Sequence, residues 1–299
     1  MTTARPSVPA PPSPTVREIT LDADGVPLSG LLARPRHTPC RATVVALHGA
    51  GMTAGYFHGP ARPETSLLAL AADLGFATVA LDRPGYGLSA GRLPAGQTVA
   101  EQAVTLTSAL SDLTARYETG AGLFLLAHSF GSKPALRIAA DGTVPGVLGL
   151  AVSGCGDEYL VPLTVPAGSA GHRQGSWGPL RLYPPGTFRA SCAVVAPIPP
   201  RELADAARWP EAFARLAGLI RVPVRFTFAE HERWWRTDRR AVNRIRSRLH
   251  AAPRVLIDRQ PDAGHNISLG WTARAYHEGV LRFVADCLRH DKTGEEQRT

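Results

Sequence analysis

The run Leu123-Phe124-Leu125-Leu126-Ala127-His128-Ser129-Phe130-Gly131 is an apolar, strand-like stretch that breaks into small-His-Ser-Phe-Gly and then into a helical pattern. A serine hydroxyl is a poor nucleophile. To attack a carbonyl it must stand clear of its backbone, with its base on one side and the substrate on the other. A sharp strand-to-helix turn does this, and it aims the free N–H groups of the helix N-terminus at the negative charge that develops. Such a turn brings backbone atoms close together, so the positions two before and two after the serine must be small. Here they are Ala127 and Gly131.

This stretch resembles the nucleophile elbow of the α/β-hydrolases, G-x-S-x-G, with Ala in place of the first Gly. Two further motifs resemble the same family. His48-Gly49-Ala50-Gly51 is similar to the HGxG turn that follows the third strand. By that resemblance Ala50, beside Gly51, supplies one N–H of the oxyanion hole, and Phe130 supplies the other. Two N–H groups aimed at one oxygen hold the oxyanion more tightly than the ground-state carbonyl, and that difference is rate. His48 itself is expected to tie the loop to its neighbours. Asp82-Arg83-Pro84-Gly85-Tyr86-Gly87-Leu88-Ser89 closely resembles the family's D-x-P-G-x-G-x-S turn, whose role is structural, so Asp82 is not expected to be the catalytic acid.

The resemblance also implies an acid and a base in the order Ser, acid, His. His265 follows Gly264 in a tight turn after the last strand and takes the base position. Aligned to the family's small-x-x-Asp loop after Ala229, Glu232 takes the acid position. Glu230 is the direct rival, and Asp157 with Glu158 a further one. Gly51, His128, Cys155 and Trp177 are expected around the substrate, although a packed thiol is the blander reading of Cys155. Lys133 lies four residues after Ser129 and not three, so the Ser-x-x-Lys arrangement of another hydrolase class is absent.

The elements that position these residues follow from periodicity. Val16–Leu21 and Val26–Ala33 alternate around Asp24-Gly25, a hairpin signal. Residues 42–47, 76–81, 123–127, 147–153 and 222–229 are apolar runs of the kind buried on both faces of a sheet, and 254–257 is a last short strand. Helical spacing appears over 64–74, over 99–117 behind a Thr98/Glu101 capping box, over 132–140, along the Arg-rich stretch to Leu249, and over 271–288. With the resemblance, this implies the α/β-hydrolase fold: a mostly parallel eight-stranded sheet, helices on both faces, and an inserted lid.

Between 154 and 221 the strand–helix alternation stops and prolines cluster, but aromatic and aliphatic residues persist, which argues against disorder. The chain is therefore divided into a disordered Pro-rich tail (1–15), a core (16–153 and 222–290), a cap or lid (154–221) and a frayed tail (291–299). His172, Arg173, Arg181 and Arg189 either line the pocket under the lid or are solvated.

Hydrophobic content of 44% with 19% charged residues is globular composition. No apolar run is long enough to span a bilayer, and no export signal is visible, so the default expectation is a cytoplasmic protein without a membrane partner. The four cysteines show no metal spacing, and no Walker loop or GxGxxG fingerprint occurs, so no cofactor is implied. The net charge of +8, carried mostly by arginine, would suit an acyl group delivered on an acidic acyl carrier protein or coenzyme A. The densest basic run, 233–248, has no nucleic-acid reader motif.

The expected reaction is hydrolysis of a carboxylic ester or thioester through an acyl-enzyme. The same scaffold could also carry a lyase, cyclase or acyltransferase, or a catalytically silent binding protein.

Overall fold

The computed structural model describes residues 15–161 and 170–296. Eight strands form one sheet in the order β1-β2-β4-β3-β5-β6-β7-β8. They are β1 (Arg17–Ala23), β2 (Val26–Ala33), β3 (Thr43–Leu47), β4 (Ala77–Leu81), β5 (Leu123–His128), β6 (Val147–Ser153), β7 (Val224–His231) and β8 (Val255–Gly264). β2 is antiparallel to both β1 and β4, and every other pairing is parallel. The sequence pattern explains the split. β3, β4 and β5 are buried at every residue, as strands covered on both faces must be, whereas β1 alternates exposed and buried. The β1–β2 turn carries Asp24 and Gly25 at φ 51° and 84°, the pair of positive values that a two-residue hairpin turn requires.

The helices are α1 (Leu67–Asp73), α2 (Val99–Arg116), α3 (Ser132–Asp141), α4 (Ala170–Trp177), α5 (Thr187–Ser191), α6 (Pro200–Ala206), α7 (Trp209–Leu216), α8 (Arg239–Arg248) and α9 (Ala273–Glu296). One core, with Leu106, Leu110, Leu136, Phe213 and Ile245, lies under α2, α3, α7 and α8. The other, with Leu67, Leu70, Val280 and Val284, lies under α1 and α9. α2 starts at the expected capping box, the Thr98 side chain taking the Glu101 N–H and the Glu101 carboxylate taking that of Thr98.

Three boundaries differ most from the sequence pattern. The Arg-rich helix begins only at Arg239, because Asp238 caps it through the N–H groups of Arg240 and Ala241. Strand β8 runs on to Gly264. α9 continues to Glu296, so residues 291–296, expected in a frayed tail, are helical, while 297–299 lie outside the described residues. Past Leu288 the chain is mainly charged. Lys, Arg and Glu hold a helix well with no apolar face to announce it. The expected Pro-rich tail falls, except for Thr15, outside the described residues.

Helices α4 to α7 make up the segment between β6 and β7 where the alternation stops. It is joined to the loop after β3: Thr53 donates to the Val194 carbonyl at 2.9 Å, and Ala196 donates to the Gly51 carbonyl at 3.0 Å. Parallel strands place their C-terminal ends on one edge of the sheet. The residues after β3, β4, β5, β7 and β8 therefore meet there, and the α4–α7 segment packs against them.

Candidate active site

Ser129 sits between the end of β5 and α3, in a single 3-10 turn, at φ 51°. That left-handed value is costly for a residue with a Cβ, and it lifts the side chain off the strand axis. The small neighbours are needed as expected. A Cβ on Gly131 would stand 2.4 Å from the His48 carbonyl oxygen, and one on Gly49 would stand 3.0 Å from the Ser129 Cβ. At Ala127 the methyl fits, fully buried between β3 and β6.

The Ser129 Oγ lies 2.9 Å from His265 Nε2. On the other side of the ring, His265 Nδ1 lies 2.9 Å and 3.0 Å from the two Glu232 carboxylate oxygens. The Glu232 side chain is only 1% exposed, and its Oε1 also accepts the N–H groups of Arg233 at 3.0 Å and Trp234 at 2.9 Å. A carboxylate so surrounded by donors is held in one orientation. An anion facing Nδ1 keeps the proton on that nitrogen, which leaves Nε2 free to accept from the serine.

The rival carboxylates are occupied elsewhere. Glu230 is exposed and accepts the Asp262 N–H at 2.8 Å. Asp157 and Glu158 are both paired with Arg244. Asp82 accepts the Ser29 hydroxyl at 2.6 Å and the Ala54 N–H at 2.7 Å, which makes it a brace for the loop after β3.

His48 is fully buried. Its Nε2 accepts the Arg83 N–H at 3.0 Å, so its proton is on Nδ1, which donates to the Gly49 carbonyl at 2.8 Å. The Gly51 N–H is taken by the Tyr86 hydroxyl at 3.0 Å, and the glycine lies under Ile198. His128 stacks on Tyr56 and bonds Ser153 through Nδ1, with its ring 5.0 Å from that of His265. It is 2% exposed and lies beside His265, away from solvent. Cys155 is 1% exposed among core side chains, and burial pushes its thiol up to about 12, so it packs as an inert thiol.

Trp177 does reach the site's edge. Its ring meets Tyr183 and Phe188, and its carbonyl lies so near the turn before His265 that a Cβ on Gly264 would approach it to 2.5 Å. Arg181 and Arg189 are exposed, and the side chains of His172 and Arg173 lie outside the described residues.

Sequence reasoning gave no role to four residues that surround the elbow. Arg83 is completely buried beside His48, bound to Glu202 of α6. Tyr86 donates to the same carboxylate at 2.9 Å. Lys133 is buried with its ammonium 4.5–6.0 Å from the rings of Phe130, Tyr159, Trp209 and Trp235, and burial lowers it to about 8. The visible signal was an arginine in the Asp82–Ser89 turn, two residues past the end of a strand that is apolar but for Thr78. Its partner lies 119 residues away, out of reach of any local pattern.

Burial holds His48 and His128 well below the ordinary imidazole value, and His277 down to about 3. All three are neutral when folded and take a proton when unfolded below about pH 6.5. Their stabilisation is therefore complete above that pH and lost as pH falls, by up to about 1.4 kcal/mol per pH unit for each. The thermal unfolding midpoint should drop between pH 7 and pH 5. A flat profile over that range would contradict neutral burial of these rings.

A family model described as the alpha/beta hydrolase family matches residues 44–278. Solved structures with the same fold include a thermostable carboxyl esterase from Bacillus coagulans (TM-score 0.68, 15% identity, 91% of this chain and 99% of that one). Others are the enol-lactonase from Burkholderia xenovorans LB400 (0.65, 16%, 89% and 100%) and a haloalkane dehalogenase variant from Bradyrhizobium elkanii (0.63, 16%, 95% and 100%). No curated protein sequence matches significantly. At these identities the structures share the fold alone, and the chemistry must be argued from the site. No helix among the described residues is long and apolar enough to cross a membrane.

Proposed function

Since the chain belongs to the alpha/beta hydrolase family, we propose that it is a serine hydrolase that cleaves a carboxylic ester or thioester through an acyl-enzyme. The observation that carries this reading is the unbroken line Ser129 Oγ, His265, Glu232, with contacts of 2.9 Å at the serine and 2.9–3.0 Å at the acid. Ser129 attacks the acyl carbon as its proton passes to His265 Nε2. The Ala50 and Phe130 N–H groups take the oxyanion. His265 then gives the proton to the leaving alcohol or thiol. Water, deprotonated by the same imidazole, attacks the acyl-enzyme and releases the acid. Glu232 steadies the imidazolium in both halves and keeps its own charge. The α4–α7 segment acts as the lid, with Trp177 beside the base.

Because the nucleophile is a hydroxyl and not a carboxylate, the alkyl–enzyme ester route to halide displacement is disfavoured. The test is hydrolysis of p-nitrophenyl esters of increasing acyl length, together with a fluorophosphonate label mapped by peptide sequencing. Turnover with label on Ser129 supports the reading, and the chain-length profile sizes the acyl pocket. Neither label nor turnover would overturn it in favour of a scaffold without a live nucleophile.

A further inference from the structure

We infer that Arg83, clamped by Glu202 of the α4–α7 segment, is the positioning residue that presets the oxyanion hole. The inference deepens the serine-hydrolase reading and rests on it. All five guanidinium N–H donors of Arg83 are engaged. Nε donates to the His48 carbonyl at 2.7 Å. Nη1 donates to Gln102 and to Glu202 Oε2, both at 2.7 Å. Nη2 donates to Glu202 Oε1 at 3.0 Å and to the Gly49 carbonyl at 3.2 Å. A planar fork with every donor used has one orientation and no freedom to leave it.

The Gly49 carbonyl is the contact that matters. It belongs to the same peptide unit as the Ala50 N–H. A trans peptide points its carbonyl and its N–H in opposite directions. Two donors, Arg83 Nη2 and His48 Nδ1, hold that carbonyl on the buried side. The Ala50 N–H is thereby turned the other way, toward the serine. Hydrogen bonds to the carbonyl of a peptide also polarise its N–H, and they do so more strongly where one donor carries a charge.

The second proposed donor leans on the same group. The Phe130 ring lies 5.0 Å from the Arg83 guanidinium and 4.5 Å from the Lys133 ammonium. Tyr86 completes the clamp by donating to Glu202 while it accepts the Gly51 N–H. The adjacent peptide is thus fixed and cannot compete with Ala50 for the oxyanion. The carboxylate at the centre comes from α6, so the segment proposed as the lid holds the oxyanion machinery from behind.

The test uses the full chain with Arg83→Met/Glu202→Gln, which removes both charges together and leaves no unpaired charge in the core, and with Arg83→Lys. The first readout is fluorophosphonate inactivation of Ser129, split into its maximal rate and its half-saturating concentration, because it needs no knowledge of the natural substrate. In the double variant the maximal rate should fall by roughly 10- to 100-fold, less than the loss of a whole oxyanion donor. Half-saturation should stay within about threefold, and kcat for p-nitrophenyl acetate should fall in step while KM holds. Arg83→Lys keeps a charge at Glu202, but a single ammonium cannot also reach both loop carbonyls, so it should fall on the same side.

An unchanged maximal rate in a folded double variant would overturn the inference while leaving the hydrolase reading intact. So would a loss confined to half-saturation. Should the double variant not fold, Arg83→Lys decides by the same criterion. Absence of labelling in the wild type would sink the hydrolase reading, and this inference with it.

Discussion

Ser129→Ala should lower kcat for p-nitrophenyl ester hydrolysis by roughly 10⁴-fold or more, with KM within a few-fold of wild type. The substitution removes the attacking atom and leaves the pocket. The serine side chain's contact is with His265 at 2.9 Å, on a half-buried position, so no core packing goes with it. Alanine meets the same left-handed φ of 51° as serine, at a similar cost. The fold should therefore survive, and the thermal unfolding midpoint should stay within a few degrees of wild type. The surviving rate reports what the oxyanion donors and simple binding do without a nucleophile. Residual turnover above about one part in a hundred would mean that another group attacks the ester.

Glu232→Gln is the second large effect, a loss in kcat of about 10³- to 10⁴-fold. The amide oxygen can keep accepting the Arg233 and Trp234 N–H groups in place of Oε1, so the loop is retained. The amide nitrogen then takes the place of Oε2 and faces His265 Nδ1, 2.9 Å away. Two donors cannot share that gap. The ring must put its proton on Nε2, where it blocks acceptance from Ser129. Glu230→Gln should leave kcat within about twofold, because Glu230 is exposed and only accepts a backbone N–H from Asp262. Steady-state kinetics on the two variants side by side separate the carboxylates. Equal losses would remove Glu232 from the acid position.

What could be read from the chain was whatever close backbone approach demands of residue type. Gly131 lies against the Leu47 and His48 carbonyls, and Gly87 leaves so little room that a Cβ would meet the Ser29 hydroxyl at 2.1 Å. Only glycine fits such places, so the motifs that contain them survive as strings of letters. The buried strands could be read for a similar reason, since β3, β4 and β5 admit no polar residue but threonine before their C-terminal ends.

Side-chain partnerships between distant elements were another matter. Nothing near Arg83 names Glu202, and nothing near Cys155 says that it points into the core beside Lys133 and not toward substrate. The ranking of Glu232 above Glu230 came from spacing within a family pattern. The geometric reason is that the first faces His265 and the second faces Asp262.

The site closes over very unequal lengths of chain. Glu232 and His265 are 33 residues apart, but Ser129 and His265 are 136 apart. During synthesis the elbow can form as soon as β3, β5 and α3 have emerged, yet His265 reaches it only when β8 pairs with β7 near the end of the chain. Contacts this distant in sequence form late, because loop closure must be met before they stabilise anything. On the proposed mechanism, a nascent or truncated chain therefore carries its nucleophile inert. In a refolding experiment, recovery of ester turnover would time the docking of the last strand, while backbone probes would already have registered the sheet's centre.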